Sequence, residues 1–555
     1  MSNLADLLTA RADDEQVAIL FEDQSMTQSI TWAQYVSECS TRAAYLKANL
    51  PTGAPPHVGV LLDNVPEFPM WLGAAALIGA VVVGINPTRR GSELARDITH
   101  TDCQLIITET NYAPLLSDLD LGAANDRILT IDQPDYRDVL APFRDEPLPE
   151  IGLNLSGDDT YLLLFTSGTS GAPKACLLSQ TRLVASSTAL VALQSLTADD
   201  VLYQCMPLFH SNAVITAFAP WLITGATAAL RRKFSASGFL PDVRRFGATY
   251  FNYVGKPLSY ILATPEAPDD TDNSLTRVFG NEAADRDITR FATRFGCTVM
   301  DGYGSTEGGA TIIRTPDTPE GALGISGPGT VVIDPETNTE CPRAQFDRTG
   351  NLLNAEQAIG EIVNRDGAAE FEGYYKNAEA NAARIRSGWY WTGDLGYRDE
   401  AGFFYFAGRD FEWLRVDGEN FSAAPLERIL ARHPDVVLAA IYAVPAEDVG
   451  DQVMAALELR PGHSMTPERL DTFLSEQSDL GTKWSPRYVR ITDALPVTET
   501  KKILKRKLRQ EYWAVTDPVW WRAKPGYALS EMQEADKAQL REVFVKADRL
   551  SSLAL

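Results

Sequence analysis

Short apolar segments alternate with stretches of helical length through the first half of the chain, and this alternation restricts the fold more than any other feature. Residues 33–50 read as a helix, 58–62 as a strand and 67–78 as a helix, after which Gly79 leads into a strand at 80–85. Further strands fall at 104–108, 127–131, 161–165, 227–230, 250–254 and 277–279. Strands separated by helices cannot be closed by hairpin turns, so they pair in parallel with helices on both faces. The longest apolar run, 71–85, is broken by three glycines. It is short for a bilayer span and suits a buried helix running into a buried strand.

Beyond Gly321 the character changes. Short strands and Gly/Pro turns between Gly324 and Arg409 predict a small antiparallel, barrel-like subdomain. A mixed region follows, with helices at 424–433 and 467–477 and strands at 436–444 and 452–459. Residues 483–524 carry eleven Lys/Arg against four Asp/Glu, either a solvated face or a seat for an anion. The tail from Thr516 has the Trp520-Trp521 pair and an amphipathic helix at 533–548, read as an appended packing element.

A net charge of −24 repels phosphate backbones and anionic lipid heads, which argues against nucleic-acid and polybasic membrane binding. Six scattered cysteines (39, 103, 176, 205, 297, 341) form no C-x-x-C pair, and the first residues lack a basic stretch followed by an apolar core. A reduced, cytoplasmic setting is expected.

The sharpest chemical signal is Thr166-Ser167-Gly168-Thr169-Ser170-Gly171-Ala172-Pro173-Lys174, directly after the strand at 161–165. Small hydroxyl residues and two glycines let the backbone curl so that N–H and O–H donors converge on one anion, and Lys174 adds positive charge. The spacing differs from a Walker A loop, because Gly168 and Gly171 are too close and Ala175 follows the lysine. A second candidate is Asp301-Gly302-Tyr303-Gly304-Ser305-Thr306-Glu307. A carboxylate beside phosphates makes sense when a cation sits between them.

These two segments resemble the signatures of adenylate-forming enzymes, the superfamily of acyl-CoA synthetases, firefly-type luciferases and peptide-synthetase adenylation domains. The resemblance runs over roughly residues 33–509. It implies that Tyr303 stacks on adenine, that Thr306 contacts phosphate and that Glu307 holds Mg²⁺. Gly280-Asn281-Glu282-Ala283, after the strand at 277–279, is similar to the segment lining the adenine pocket. Trp391-Thr392-Gly393-Asp394 and Gly408-Arg409 resemble the segments that bind the ribose, through Asp394 and Arg409. Phe209-His210 is similar to the segment bordering the acyl pocket, where His210 would shape or gate the pocket rather than act as a base. Residues 496–503 resemble the last signature, whose lysine reaches the substrate carboxylate and ATP; Lys502 is the candidate and Lys501 its rival.

The resemblance also implies a hinge, at Glu412, and a C-terminal domain that rotates between two half-reactions. The expected organisation is α/β: a large N-terminal AMP- and acyl-binding domain over 1–411, made of doubly wound subdomains and the β-barrel-like one, a small mobile α+β domain over 412–515, and an extension over 516–555. The implied activity is that of an ATP- and Mg²⁺-dependent acyl-CoA synthetase, with coenzyme A as acceptor and a homodimer as a common form. Residues 56–62, 89–91, 414–420 and 450–456 look most like the branch acting on long-chain and very-long-chain fatty acids, whose bacterial relatives act on steroid side-chain carboxylates. Gly308-Gly309 is expected to leave room for a bulky acid. Transfer to a carrier-protein pantetheine, or non-catalytic binding of an acyl nucleotide, are the competing readings.

Overall fold

The computed structural model describes residues 3–23, 26–144, 148, 156–166, 174–347, 352–409, 413–416, 419–447, 451–477, 480, 484–498, 503–524, 526–546, 549 and 553. Two sheets form the body. The first runs Ile128–Thr130, Leu105–Thr108, His57–Leu61, Val81–Gly84, Thr160–Thr166, Lys174–Ser179. Its strands are parallel except the last, which pairs antiparallel with Thr160–Thr166. The second sheet has eight strands, with a parallel centre made of Thr298–Tyr303, Arg277–Asn281, Tyr250–Val254, Val201–Gln204, Thr227–Leu230 and Val17–Glu22. Its two edge strands, Thr27–Thr31 and Ile312–Ile313, are antiparallel.

Local chemistry accounts for the helices between. Trp32–Asn49 opens on a capping box, in which Thr31 accepts from the Gln34 amide and the Gln34 side chain reaches back. Glu67–Ile78 is apolar on all sides because it is buried between the helices Leu4–Thr9 and Trp32–Asn49, and it stops at Gly79 in the left-handed region (φ +71). Trp32 and Trp221 stack with ring centroids 4.4 Å apart, and this aromatic contact joins the two sheets' helices in one core.

The antiparallel subdomain has five strands: Thr330–Ile333, Gly360–Asn364, Trp389–Arg398, Ile385–Arg386 and Phe404–Arg409, the last also on Trp389–Arg398. The C-terminal sheet runs Val436–Pro445, Asp451–Leu459, Tyr488–Thr492, Val519–Trp521, Ser530–Glu531. Thus the tail supplies two strands of this sheet, and Leu540 and Phe544 of its helix pack with Leu438, Tyr442 and Trp513. Much of the basic stretch is spent on ion pairs: Arg487 with Glu447, Arg490 with Glu511 and Asp517, Lys505 with Glu427. Tyr260 and Ala263 of the large body pack against the C-terminal core.

Among the described residues no helix is long and apolar enough to cross a membrane.

Candidate active site

The candidate residues gather at the C-terminal ends of parallel strands from both sheets, where open α/β sheets bind ligands. Thr166 ends its strand and pairs in register with Lys174 across the loop between them. Ser167, Gly168, Thr169, Ser170 and Gly171 lie outside the described residues. Thr166 Oγ1 donates to Glu307 Oε1 at 3.3 Å, so the stem of the first signature touches the last residue of the second. Glu307 is buried, and Tyr374 also donates to its Oε1, at 2.7 Å. Burial opposes ionisation of Glu307, but the Arg384 charge and hydrogen bonds from Tyr374 and neighbouring donors hold its carboxyl below the usual range. Lys174 Nζ lies 5.3 Å from the centre of the Tyr374 ring. Burial, then repulsion from Arg384, lowers the Lys174 pKa.

Those residues fit a magnesium ion. Among the described residues no group of three or more His, Cys, Asp or Glu could cage a metal. A single buried carboxylate held in its ionised form beside Thr166, at the stem of the first signature, suits a cation whose other ligands are phosphate oxygens and water.

The nucleoside side is built on Tyr303 and Asp394. Tyr303 ends its strand and donates through its hydroxyl to Asp394 Oδ2 at 2.6 Å. Residues expected to hold adenine and ribose therefore form one wall. Burial and the Asp394 carboxylate both raise the Tyr303 pKa far above its usual value, so the phenol stays a donor. The Thr392 hydroxyl accepts from the Asp394 amide at 3.0 Å and donates to the Ile362 carbonyl at 2.7 Å, which fixes the bulge in the strand before Asp394. Arg409 closes its strand beside Asp394 in backbone register, and its side chain lies outside the described residues.

Gly280 and Asn281 do not follow the strand as expected; they are its last two residues. A Cβ on Gly280 would come within 2.5 Å of the Tyr253 ring, so glycine there admits the neighbouring strand's aromatic. Asn281 Nδ2 donates to the Gly302 carbonyl at 2.6 Å and ties this strand to the second signature. Glu282 turns the chain with φ +70. Beneath it, Asp301 Oδ2 accepts from Tyr253 Oη at 2.6 Å and from the Ala283 amide at 3.1 Å.

Burial raises the Asp301 carboxyl to about 7, against donors that favour its charged form. An unfolded Asp titrates near 3.9, so the folded chain binds this proton more tightly. Its contribution is present below about pH 4 and is lost as pH rises through about 7. Asp301→Asn should therefore flatten the decline of unfolding free energy between pH 5 and 7, which at full slope is about 1.4 kcal/mol per pH unit. Urea titrations of both proteins at several pH values check this; parallel curves would sink the assignment.

His210 is half-buried and its Nδ1 accepts from the Asn212 amide at 3.3 Å, so it heads the helical segment that begins at Ser211. Ser211 Oγ lies 2.6 Å from Thr306 Oγ1. His210 thus stands at the head of the segment whose next residue touches the second signature. Arg182 donates to the Thr306 carbonyl. Gly304 and Ser305 are exposed, and a Cβ on Gly304 would meet nothing within 4 Å. Gly308 and Gly309 open no pocket: both have left-handed φ (+71 and +69), and the space at their Cβ positions is filled by Arg182 and the Tyr390 ring. The shape of the turn requires glycine at both. Lys501 and Lys502 lie outside the described residues.

Sequence reasoning missed Tyr374, Arg384, Arg182, Ser211 and the burial of Asp301. Tyr374, Arg384 and Arg182 stand in no motif and are brought in by packing; Ser211 follows the Phe209-His210 segment, and Asp301 opens the second signature, where only its burial was not to be read.

Motif residues gathered at the strand ends of two parallel sheets, with a small α+β unit after them, are the arrangement expected of an adenylating enzyme. The sequence matches the AMP-binding enzyme family over residues 8–375 and the AMP-binding enzyme C-terminal domain over 425–502. The chain belongs to the AMP-binding enzyme family. It is 50% identical over 546 residues to steroid-22-oyl-CoA synthetase of Rhodococcus jostii, covering 98% of this chain and 97% of that one. It is 48% identical to the medium/long-chain-fatty-acid–CoA ligase FadD17 of Mycobacterium tuberculosis, covering 93% and 98%. Among solved structures, ATP-bound MatB of Rhodopseudomonas palustris shares the fold, with a TM-score of 0.77 and 24% identity over 92% of this chain and 99% of that one.

Proposed function

We propose that this chain activates a steroid side-chain carboxylate for thioester formation. The protein is an AMP-forming acid–thiol ligase that acts on hydrophobic acids and uses ATP, Mg²⁺ and coenzyme A. The observation that carries the choice of acid is the identity at half of all positions, along nearly its whole length, to a steroid-22-oyl-CoA synthetase. Medium- and long-chain fatty acids are the second reading, on the 48% identity to FadD17.

In the first half-reaction a carboxylate oxygen attacks the α-phosphorus, and the bond to pyrophosphate breaks. In the second, the thiol sulfur of coenzyme A attacks the acyl carbon, the bond to AMP breaks, and the thiol proton passes to solvent. Bound magnesium neutralises phosphate charge. Thr166, the loop 167–171, Lys174 and Thr306 hold the phosphates, and Glu307 is the protein's ligand to the metal. Tyr303 and residues 280–282 face adenine, Asp394 and Arg409 take the ribose, and His210 with Ser211 shapes the acyl side. Lys502 approaches the reacting carboxylate from the C-terminal domain. The residue-level roles rest on the convergence of Thr166, Glu307, Tyr303 and Asp394 within one wall. A cytoplasmic setting suits six free thiols, five of them buried. A homodimer, which the family resemblance implies, belongs to the same reading.

Pyrophosphate release with ATP and Mg²⁺ across acetate, fatty acids and steroid side-chain acids, with and without coenzyme A, tests this. We expect release and a CoA thioester with steroid acids, at about tenfold or greater preference over a fatty acid that fits the pocket less closely. A preference for fatty acids would move the substrate to the second reading, and release without any thioester would mark a carrier-dependent ligase.

A further inference from the structure

We infer that Arg384 is a positioning residue that holds the ribose-binding and metal-binding carboxylates in one fixed relation. The inference rests on the nucleotide-site reading above and adds to it the element joining the site's two halves. Arg384 ends the helix Ala378–Arg384, and its guanidinium reaches in two directions. Nη1 donates to the Trp391 carbonyl at 3.2 Å and to the Thr392 carbonyl, the peptide units just before Gly393-Asp394. Nε donates to Tyr374 Oη at 3.1 Å, and that hydroxyl donates onward to Glu307 Oε1 at 2.7 Å.

The backbone is shaped around this side chain. Gly393 has φ +72, and a Cβ there would stand 2.7 Å from Arg384 Nη1. Glycine before Asp394 therefore serves two needs, the left-handed bulge in the strand and the slot in which the guanidinium lies. Only a planar, multi-donor fork can serve two carbonyls and a phenol at once; a lysine ammonium has the charge without that reach. One side chain thus sets both the bulge that presents Asp394 and the orientation of Glu307, the two ends of a nucleotide.

Calorimetry on the full chain tests the coupling with two probes: AMP in the presence of EDTA, and ATP at varied Mg²⁺. Arg384→Met should weaken metal-free AMP binding by about tenfold and raise the Mg²⁺ needed for half-maximal ATP binding by a similar factor, because both arms are lost. Tyr374→Phe should raise the Mg²⁺ requirement and leave metal-free AMP binding within about twofold, since only the Glu307 arm is cut. Arg384→Lys should rescue the Mg²⁺ requirement in part by keeping the charge. If Arg384→Met does not fold, the contrast between Tyr374→Phe and Arg384→Lys carries the test. The inference is overturned if both probes stay within about twofold of wild type in every variant, or if Tyr374→Phe weakens AMP as much as it weakens ATP. Wild-type protein that binds neither nucleotide would overturn the underlying site reading instead.

Discussion

Glu307→Gln should lower acid-dependent pyrophosphate release by about 10²–10³-fold at saturating ATP, with the melting temperature little changed. The substitution keeps shape and removes charge. Glutamine still offers an oxygen to Tyr374 Oη and Thr166 Oγ1, the donors on Oε1 at 2.7 and 3.3 Å, so the local packing is preserved. What disappears is the anion that Arg384 and its neighbours keep ionised despite burial. A cation brought to this position would then meet the Arg384 and Lys174 charges without the carboxylate that offset them, and its affinity should fall. The same experiment run at rising Mg²⁺ separates binding from chemistry: partial recovery is expected, because excess metal compensates weaker binding. A rate within about threefold of wild type, with an unchanged Mg²⁺ response, would remove Glu307 from the reaction.

The parallel-sheet body was legible because its signal is periodic and local. Residues 67–78 were read to the residue, since a run of buried apolar side chains closed by Gly79 leaves one choice. The edges were not legible. The hairpin of Val17–Glu22 with Thr27–Thr31 is short and half-polar, and only its pairing to Thr227–Leu230 marks it as part of the sheet. The strand Arg277–Asn281 overran its expected end because Gly280 reads as a turn residue in sequence, whereas the Tyr253 ring gives it a packing reason to remain in the sheet. Of the candidate site, the motif residues drew notice for their side-chain types, and the fold brings Thr166 to Glu307 and Tyr303 to Asp394. The residues that hold them were not legible. Arg384, Tyr374 and Arg182 are chosen by neighbours distant in sequence, and Asp301 differs from any exposed aspartate only by its burial. The Gly308-Gly309 pair shows the same limit, for glycine in sequence says nothing of whether its missing Cβ leaves space or makes way for Arg182 and Tyr390.

Lys502→Ala should abolish acyl-AMP formation by about 10²–10³-fold and leave thioester formation from supplied acyl-AMP within a few-fold of wild type. The physical demand is specific to the first half-reaction. There the attacking carboxylate and the α-phosphate are both anions; at 4 Å their repulsion is about 1 kcal/mol in water and about 4 kcal/mol at an effective dielectric near 20. In the second half-reaction a thiol attacks an acyl carbon and that repulsion is absent. Among the described residues on either side of the two lysines, Val497 and Ile503 form a bridge and the Leu504 amide donates to the Pro496 carbonyl at 2.8 Å. Ile503 packs against the C-terminal core, so an alanine at either lysine leaves that anchor untouched. Parallel assay of Lys501→Ala decides between the neighbours: the variant that loses adenylation alone identifies the lysine that reaches the carboxylate. If both half-reactions fall together in Lys502→Ala, the charge is serving binding common to both, and the selective role fails.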